Sequence, residues 1–405
     1  MLKRSARVFA PIVIAASLLS ACSKDKVADT TAAPADTTAA AAAETTAAAA
    51  AETTAAAAET TAAAAETTAA AAAETTAAAA AGTGADLTKL AADCKTEGQV
   101  NLIALPPEWA NYKGILASFA TKYPGVKTLA GQADMPDTVD VSPAIAQEMS
   151  AAGLFEPYKP STVANIPAAL VDSANNWTGA YYGIMAILTN TTIVKNAPKT
   201  FADLKKPEYK GLVALNGDPR EAGAAFAAVM AASIANGGSA DDILPGIKFF
   251  ADLKKLGNLG GTDVTKATMV SGETPIAIDW SYNLPGIRTD LAAAKLTVET
   301  AYPTDGVYGG FYGQGLVKSS PHQACGKLWL EHILSDEGAL GYLEGGAIPA
   351  RYEALVKAGK VTEAAKVNLP PAELIAQVKF LTPDQITKAK DVLAAQWGPM
   401  VADAK

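Results

Sequence analysis

The order of apolar runs between residues 97 and 294 restricts this chain to an alternation of strand and helix. Residues 100–105 form a short apolar run that Pro106-Pro107 breaks, after which Tyr112, Ile115, Leu116 and Phe119 recur at helical spacing. The same order returns at 138–141 with 143–152, at 211–215 with a helix over 221–235, and at 275–279 with 284–294. Strands separated by helices pair in parallel and need cover on both faces, so the spacing predicts an α/β fold. The last stretch is mainly helical. Ser320-Pro321-His322-Gln323 and Thr382-Pro383-Asp384-Gln385 both have the form of a capping box with proline at the first helical position. Ile386, Ala389, Leu393 and Trp397 then trace one buried helix face, and residues 343–349 read as a helix end followed by a turn.

The first 85 residues have no part in that pattern. Lys3, Arg4 and Arg7 precede an apolar run over 8–21 that is too short to span a bilayer, which takes about 20 apolar residues. The run closes on Leu19-Ser20-Ala21-Cys22, which resembles the bacterial lipobox; residues 1–22 are therefore expected to be a lipoprotein signal and Cys22 its lipidation site. Residues 23–85 are nearly all Ala, Thr, Glu and Asp, with Thr-Thr pairs about every seven residues but no large apolar side chain to make a coiled-coil seam. They read as a tether with a flexible-coil reach of about 40–50 Å.

The formal net charge is −8, with 41 acidic and 33 basic residues, a poor match for a phosphate backbone; nucleic acid is excluded as a partner. The roughly 320 residues after the tether exceed what one core usually serves, so two domains are expected. Cys94 and Cys325 are the cysteines beyond the signal, and outside the cell a bridge is the natural reading of two of them. His322 and His332 fit no metalloprotease spacing and read as solvent-facing. No nucleophile elbow, Cys-x-x-Cys pair or phosphate-binding Gly-Lys loop occurs, and the glycine-rich stretch 309–315 fails the dinucleotide fingerprint. The expectation is a binding protein without catalytic residues, metal or cofactor. An anchored hydrolase using carboxylates such as Glu108 and Asp279 is the enzymatic alternative, and a ligand-sensing lipoprotein the other.

Further segments carry a resemblance. These are 100–109 as first strand and loop; Tyr181-Tyr182-Gly183-Ile184 leading to Leu188-Thr189-Asn190; and Pro198-Lys199-Thr200-Phe201-Ala202-Asp203-Leu204. Later come 211–215 before Asp218-Pro219, then 275–280, and Val317-Lys318-Ser319-Ser320-Pro321 leading to Ser335-Asp336-Glu337-Gly338. In this order the chain resembles the extracellular solute-binding proteins of ABC importers, in the branch of polyamine, ferric-ion and thiamine binders, over about 97–397. The resemblance implies a two-lobe, periplasmic-binding-protein-like fold of type II, each lobe a mainly parallel sheet flanked by helices. Lobe 1 would comprise 86–188 with 301–405, and lobe 2 would comprise 189–300. It further implies a monomer held by its lipid at the outer face of the cytoplasmic membrane, with a small-molecule ligand and a membrane permease as partners. It puts Cys94 and Cys325 in one lobe, where a disulfide is expected. The stretch 127–138 is shorter than the family pattern, which would shorten one wall of the cleft.

In open parallel sheets, ligands sit beyond the carboxyl ends of strands. Those ends carry Glu108 and Trp109, Asp218 and Arg220, and Asp279, Trp280 and Tyr282, with Tyr181 and Tyr312 nearby; these nine are the candidate ligand-binding residues. Aromatic faces with carboxylates suit amines, so a polyamine-like cation leads. Ferric ion is the runner-up, and a phosphonate at a helix N-terminus near Arg220 is third.

Overall fold

The structure is a computed structural model describing residues 86–403 apart from 104, 108 and 131–134. The signal, Cys22, the tether and Glu108 lie outside the described residues. Nine strands make one sheet: β1 Gln99–Ile103, β2 Lys127–Ala130, β3 Thr138–Val141, β4 Trp177–Asn190, β5 Val213–Leu215, β6 Ile276–Trp280, β7 Val298–Ala301, β8 Gly309–Leu316 and β9 Ile348–Pro349. Their order is β2-β1-β3-β8-β4-β6-β5, with β7 and β9 also pairing with β4. The pairs made by strand–helix units, β1 with β2, β1 with β3 and β5 with β6, are parallel. Every antiparallel pair includes β4 or β8.

β4 unites the two sets. Its first half pairs with β8 up to Ile184, and from Met185 it pairs with β6. All 14 of its residues are buried, in keeping with its near-continuous apolar sequence. β8 is glycine-rich, which by itself disfavours a strand. Here the missing side chains make room for rings: a Cβ at Gly310 would lie 2.5 Å from the Trp280 ring and one at Gly315 2.2 Å from Phe155. The helix Gly223–Ala235 is apolar on every side and buries residues 224–233 in one run, which makes it a central helix of the fold.

Cys94 on the helix Leu87–Glu97 and Cys325 on the helix Gln323–Ile333 are joined by a disulfide, their Cα atoms 4.4 Å apart. Glu97 closes the same contact, its carboxylate accepting from the backbone N–H groups of Ala324 at 3.1 Å and Cys325 at 2.8 Å. That satisfies donors at a helix start which no local side chain caps.

Two expectations need correction. The Ser320–Gln323 capping box does not form, and the helix begins at Gln323. The buried Asp137 carboxylate competes for the donors: Ser320 donates to it at 2.6 Å, Asn101 N–H at 2.6 Å, and the His322 ring sits 3.0 Å away. A local cap yields to a carboxylate that has lost its water. His332 does not face solvent. It is 1% exposed, packed edge-on against Phe119 and Tyr123, and burial lowers its pKa to about 4. The second box does form, with Thr382 N–H donating to Gln385 Oε1 at 3.0 Å and Gln385 N–H to Thr382 Oγ1 at 3.3 Å. The helix it opens, Pro383–Trp397, buries Ile386, Ala389, Leu393 and Trp397. It packs on the helix Pro143–Ala151 after β3 and on the helix Leu244–Leu256 on the β5 side.

Candidate functional site

A cleft of about 620 Å³, counting its open mouth, lies where strand ends from both sides of β4 meet. From the β3 side come Ser142, Pro143 and Ala144, the turn into the helix Pro143–Ala151. From the β5 side come residues 219–223, the turn into the helix Gly223–Ala235, and Phe226 on its first turns. Trp280 ends β6 and forms the floor with residues 308–312 of and before β8. Phe380, Leu381, Ile386 and Lys390 close the remaining side.

Two helix N-termini thus meet at one cavity. Neither has a side-chain cap, because Ala222 offers no acceptor and Ser142 makes no capping bond. Their free N–H groups and helix dipoles favour negative charge in the cleft. The Tyr312 hydroxyl stands beside one of them, 3.2 Å from where a Cβ at Gly223 would be. Burial pushes the Tyr312 phenol up to about 12, so it stays a neutral donor. Trp280 is 4% exposed and its indole Nε1 has no acceptor among the described residues.

Of the nine candidate residues, Arg220, Trp280 and Tyr312 line the cleft. Tyr282 lies behind Trp280, stacked on it with ring centres 5.9 Å apart, and Tyr181 packs edge-on against Tyr282 at 5.4 Å. Burial raises both phenols well above the ordinary tyrosine range. Asp279 also lies behind the wall, 2% exposed. Its carboxylate accepts from Asn216 Nδ2 at 3.0 Å, Asn283 Nδ2 at 3.1 Å and the Trp280 N–H at 2.7 Å, and burial pushes it up to about 6. Asp218 borders a neighbouring depression and is taken by Arg220, which grips it through Nη2 at 2.5 Å and Nε at 3.0 Å. Arg220 holds that carboxyl below its usual range. Trp109, 37% exposed in the turn after β1, does not line the cleft. The sequence reading missed Ser142, although it directly follows β3; it also missed Phe380, Leu381 and Lys390 and took Ile386 for core alone.

Residues 133–380 match the family described as bacterial extracellular solute-binding protein. A comparison with curated proteins found no match. Among solved structures, the chain is similar to the periplasmic binding protein AfuA from Actinobacillus pleuropneumoniae with fructose-6-phosphate bound, at 17% identity and a TM-score of 0.59 over 76% of this chain and 98% of that one. Iron-bound HitA from Pseudomonas aeruginosa is similar at 19% identity and 0.57, over 74% and 98%. The spermidine/putrescine substrate-binding protein PotD from Streptococcus pneumoniae is similar at 16% and 0.53, over 75% and 99%. At such identities the likeness is one of fold alone.

Proposed function

Because this chain belongs to the bacterial extracellular solute-binding proteins, we propose that it captures a small organic anion in the cleft beside Trp280 and delivers it to the permease of an ABC importer. One observation carries the anion: two helix N-termini without side-chain caps open on this cleft next to Arg220. Two of the three carboxylates on which a polyamine reading rested are engaged elsewhere, Asp279 behind the wall and Asp218 on Arg220, and the third, Glu108, lies outside the described residues. Ferric ion would call for phenols and carboxylates facing the cleft, whereas Tyr181, Tyr282 and Asp279 lie behind its wall.

The division into 86–188 with 301–405 and 189–300 is supported by β4 changing partners within that strand. A solute touching both sides stabilises the closed arrangement by its differential affinity, and closure is what a permease can read. Binding is the role we assign to this cleft, in keeping with the family. No helix among the described residues is long and apolar enough to cross a membrane. We assign the hold on the membrane to lipid on Cys22; a Cys22→Ala protein is expected in the culture medium or as uncut precursor, and its unchanged retention in the membrane fraction would refute the anchor.

Titration calorimetry with phenyl phosphate, benzoate, spermidine and ferric citrate tests the ligand class. The anions are expected to bind and Arg220→Gln to weaken them by about 1.5–3 kcal/mol, the scale of a hydrogen bond to a charged group. Binding of spermidine or ferric ion with neither anion would overturn the reading.

A further inference from the structure

The family match stops at residue 380, yet the cleft does not. One wall is built by the segment that follows: Leu381 and Ile386 present apolar surface, and Lys390 lies one helical turn beyond Ile386 on the same face. Phe380 anchors the segment's start, edge-on to Tyr182 at 5.1 Å and to Phe311 at 5.5 Å. Further along, Gln385 Nε2 donates to Asp241 at 3.1 Å and Trp397 meets Phe250 at 5.8 Å. The wall is therefore seated on the β5 side while its helix also touches the helix Pro143–Ala151.

Lys390 is the informative residue. Arg220 turns Nε and Nη2 to Asp218 and keeps Nη1 unbonded among the described residues, whereas Lys390 has no carboxylate within ion-pair distance among them and lines the cleft half-buried. The one carboxylate lining the same cleft is Glu221, which is exposed at the rim. An ammonium without an acidic partner at a cleft wall favours negative charge in its neighbourhood. The rest of the wall, with Phe226 and Phe311 opposite, is apolar and has no further cation to offer.

Resting on the anion reading above, we infer that the C-terminal segment from Phe380 to Lys390 is the selectivity wall of this protein. It selects an organic dianion with an apolar or aromatic body: the body lies against Leu381, Ile386 and Phe311, and the two charges are shared between the Arg220 end with its helix N-termini and the Lys390 ammonium. An inorganic anion leaves the apolar wall wet, and a monoanion leaves Lys390 unpaired, so both are discriminated against.

Three probes separate the parts: phenyl phosphate has the body and two charges, benzoate the body and one charge, and orthophosphate the charge without the body. Calorimetry on the full chain is expected to rank phenyl phosphate tightest. Lys390→Gln should weaken phenyl phosphate tenfold or more while benzoate stays within twofold, and Arg220→Gln should weaken all three. Equal effects of Lys390→Gln on phenyl phosphate and benzoate, or none on either, would overturn the wall assignment; so would orthophosphate binding as tightly as phenyl phosphate. If Arg220→Gln still weakens every anion in those cases, the anion reading stands and only the wall falls. If no anion binds the unaltered protein, both fall.

Discussion

Opening the Cys94–Cys325 bond will cost about 5 kcal/mol of unfolding free energy. The bonded residues are 231 apart, and on loop-closure entropy even a loop of about 100 residues contributes about 4.7 kcal/mol. The folded side of the balance changes little. The two helices remain packed against each other, and Glu97 still accepts from Ala324 and Cys325. Urea unfolding of the protein with and without dithiothreitol, beside Cys94→Ala/Cys325→Ala, measures it. The reduced protein and the double variant should unfold together at lower urea and with a steeper denaturant dependence, because the uncrosslinked chain exposes more surface. Thiol labelling of the denatured, unreduced protein should find neither cysteine free. Two free thiols, or a midpoint indifferent to reductant, would remove the bond from the account.

The elements that local pattern could reveal are those whose neighbours in sequence are also their reason for folding. Thr138–Val141, the buried face Ile386, Ala389, Leu393 and Trp397, and the Thr382 capping box are set by residues within two turns of themselves. β8 is the contrary case. Gly309, Gly310, Gly313 and Gly315 make it a poor strand by propensity, and it becomes one because Trp280, Phe155, Trp177 and Val378 fill the space their side chains would occupy. Those partners come from everywhere in the chain, so no window of sequence contains the explanation. His332 and Ser320 follow the same logic, one drawn into an aromatic cluster and the other into the shell of Asp137.

The candidate site divides along the same line. Strand-end reasoning found Arg220 and Trp280 because Trp280 closes β6 and Arg220 lies in the loop that follows β5. It could not tell that Asp279, one residue before Trp280, points to the other face, where Asn216 and Asn283 enclose it. The period of two that separates faces of a strand holds the reason: adjacent residues alternate, so Trp280 and Asp279 cannot both line one cleft. Lys390 was hidden differently, since a helix whose apolar stripe reads as core gives no sign that its edge borders a cavity.

Asp140→Asn will stabilise the protein at pH 8 by about 4 kcal/mol and leave it nearly unchanged at pH 4. Asp140, on β3, is 4% exposed. Its Oδ2 accepts from Tyr112 at 2.6 Å and from Tyr181 at 3.1 Å, while Oδ1 has no partner among the described residues. The groups facing it are Tyr112 from the helix Tyr112–Lys122, Tyr181 from β4, Gln314 from β8 and, through the Tyr112 hydroxyl, Tyr342 from the helix Asp336–Glu344; none is a cation. Burial therefore dominates those hydrogen bonds and pushes the carboxyl up from 3.8 to about 7. Between those values the folded protein holds a proton that the unfolded chain has released, so stability falls as pH rises through the window and the full loss is present above it. About three pH units at 1.36 kcal/mol each give the 4 kcal/mol. Asp279, raised to about 6, adds a loss of the same sign. His332, lowered to about 4, opposes both between pH 4 and 6.5, where the unfolded chain binds the extra proton. The unaltered protein alone thus has a flattened profile, and the informative quantity is the difference between it and Asp140→Asn measured by urea unfolding from pH 4 to 8. That difference should grow from pH 4 to about 7 and level off above it; a difference independent of pH would mean that Asp140 is ionised throughout and that its charge is compensated in the fold.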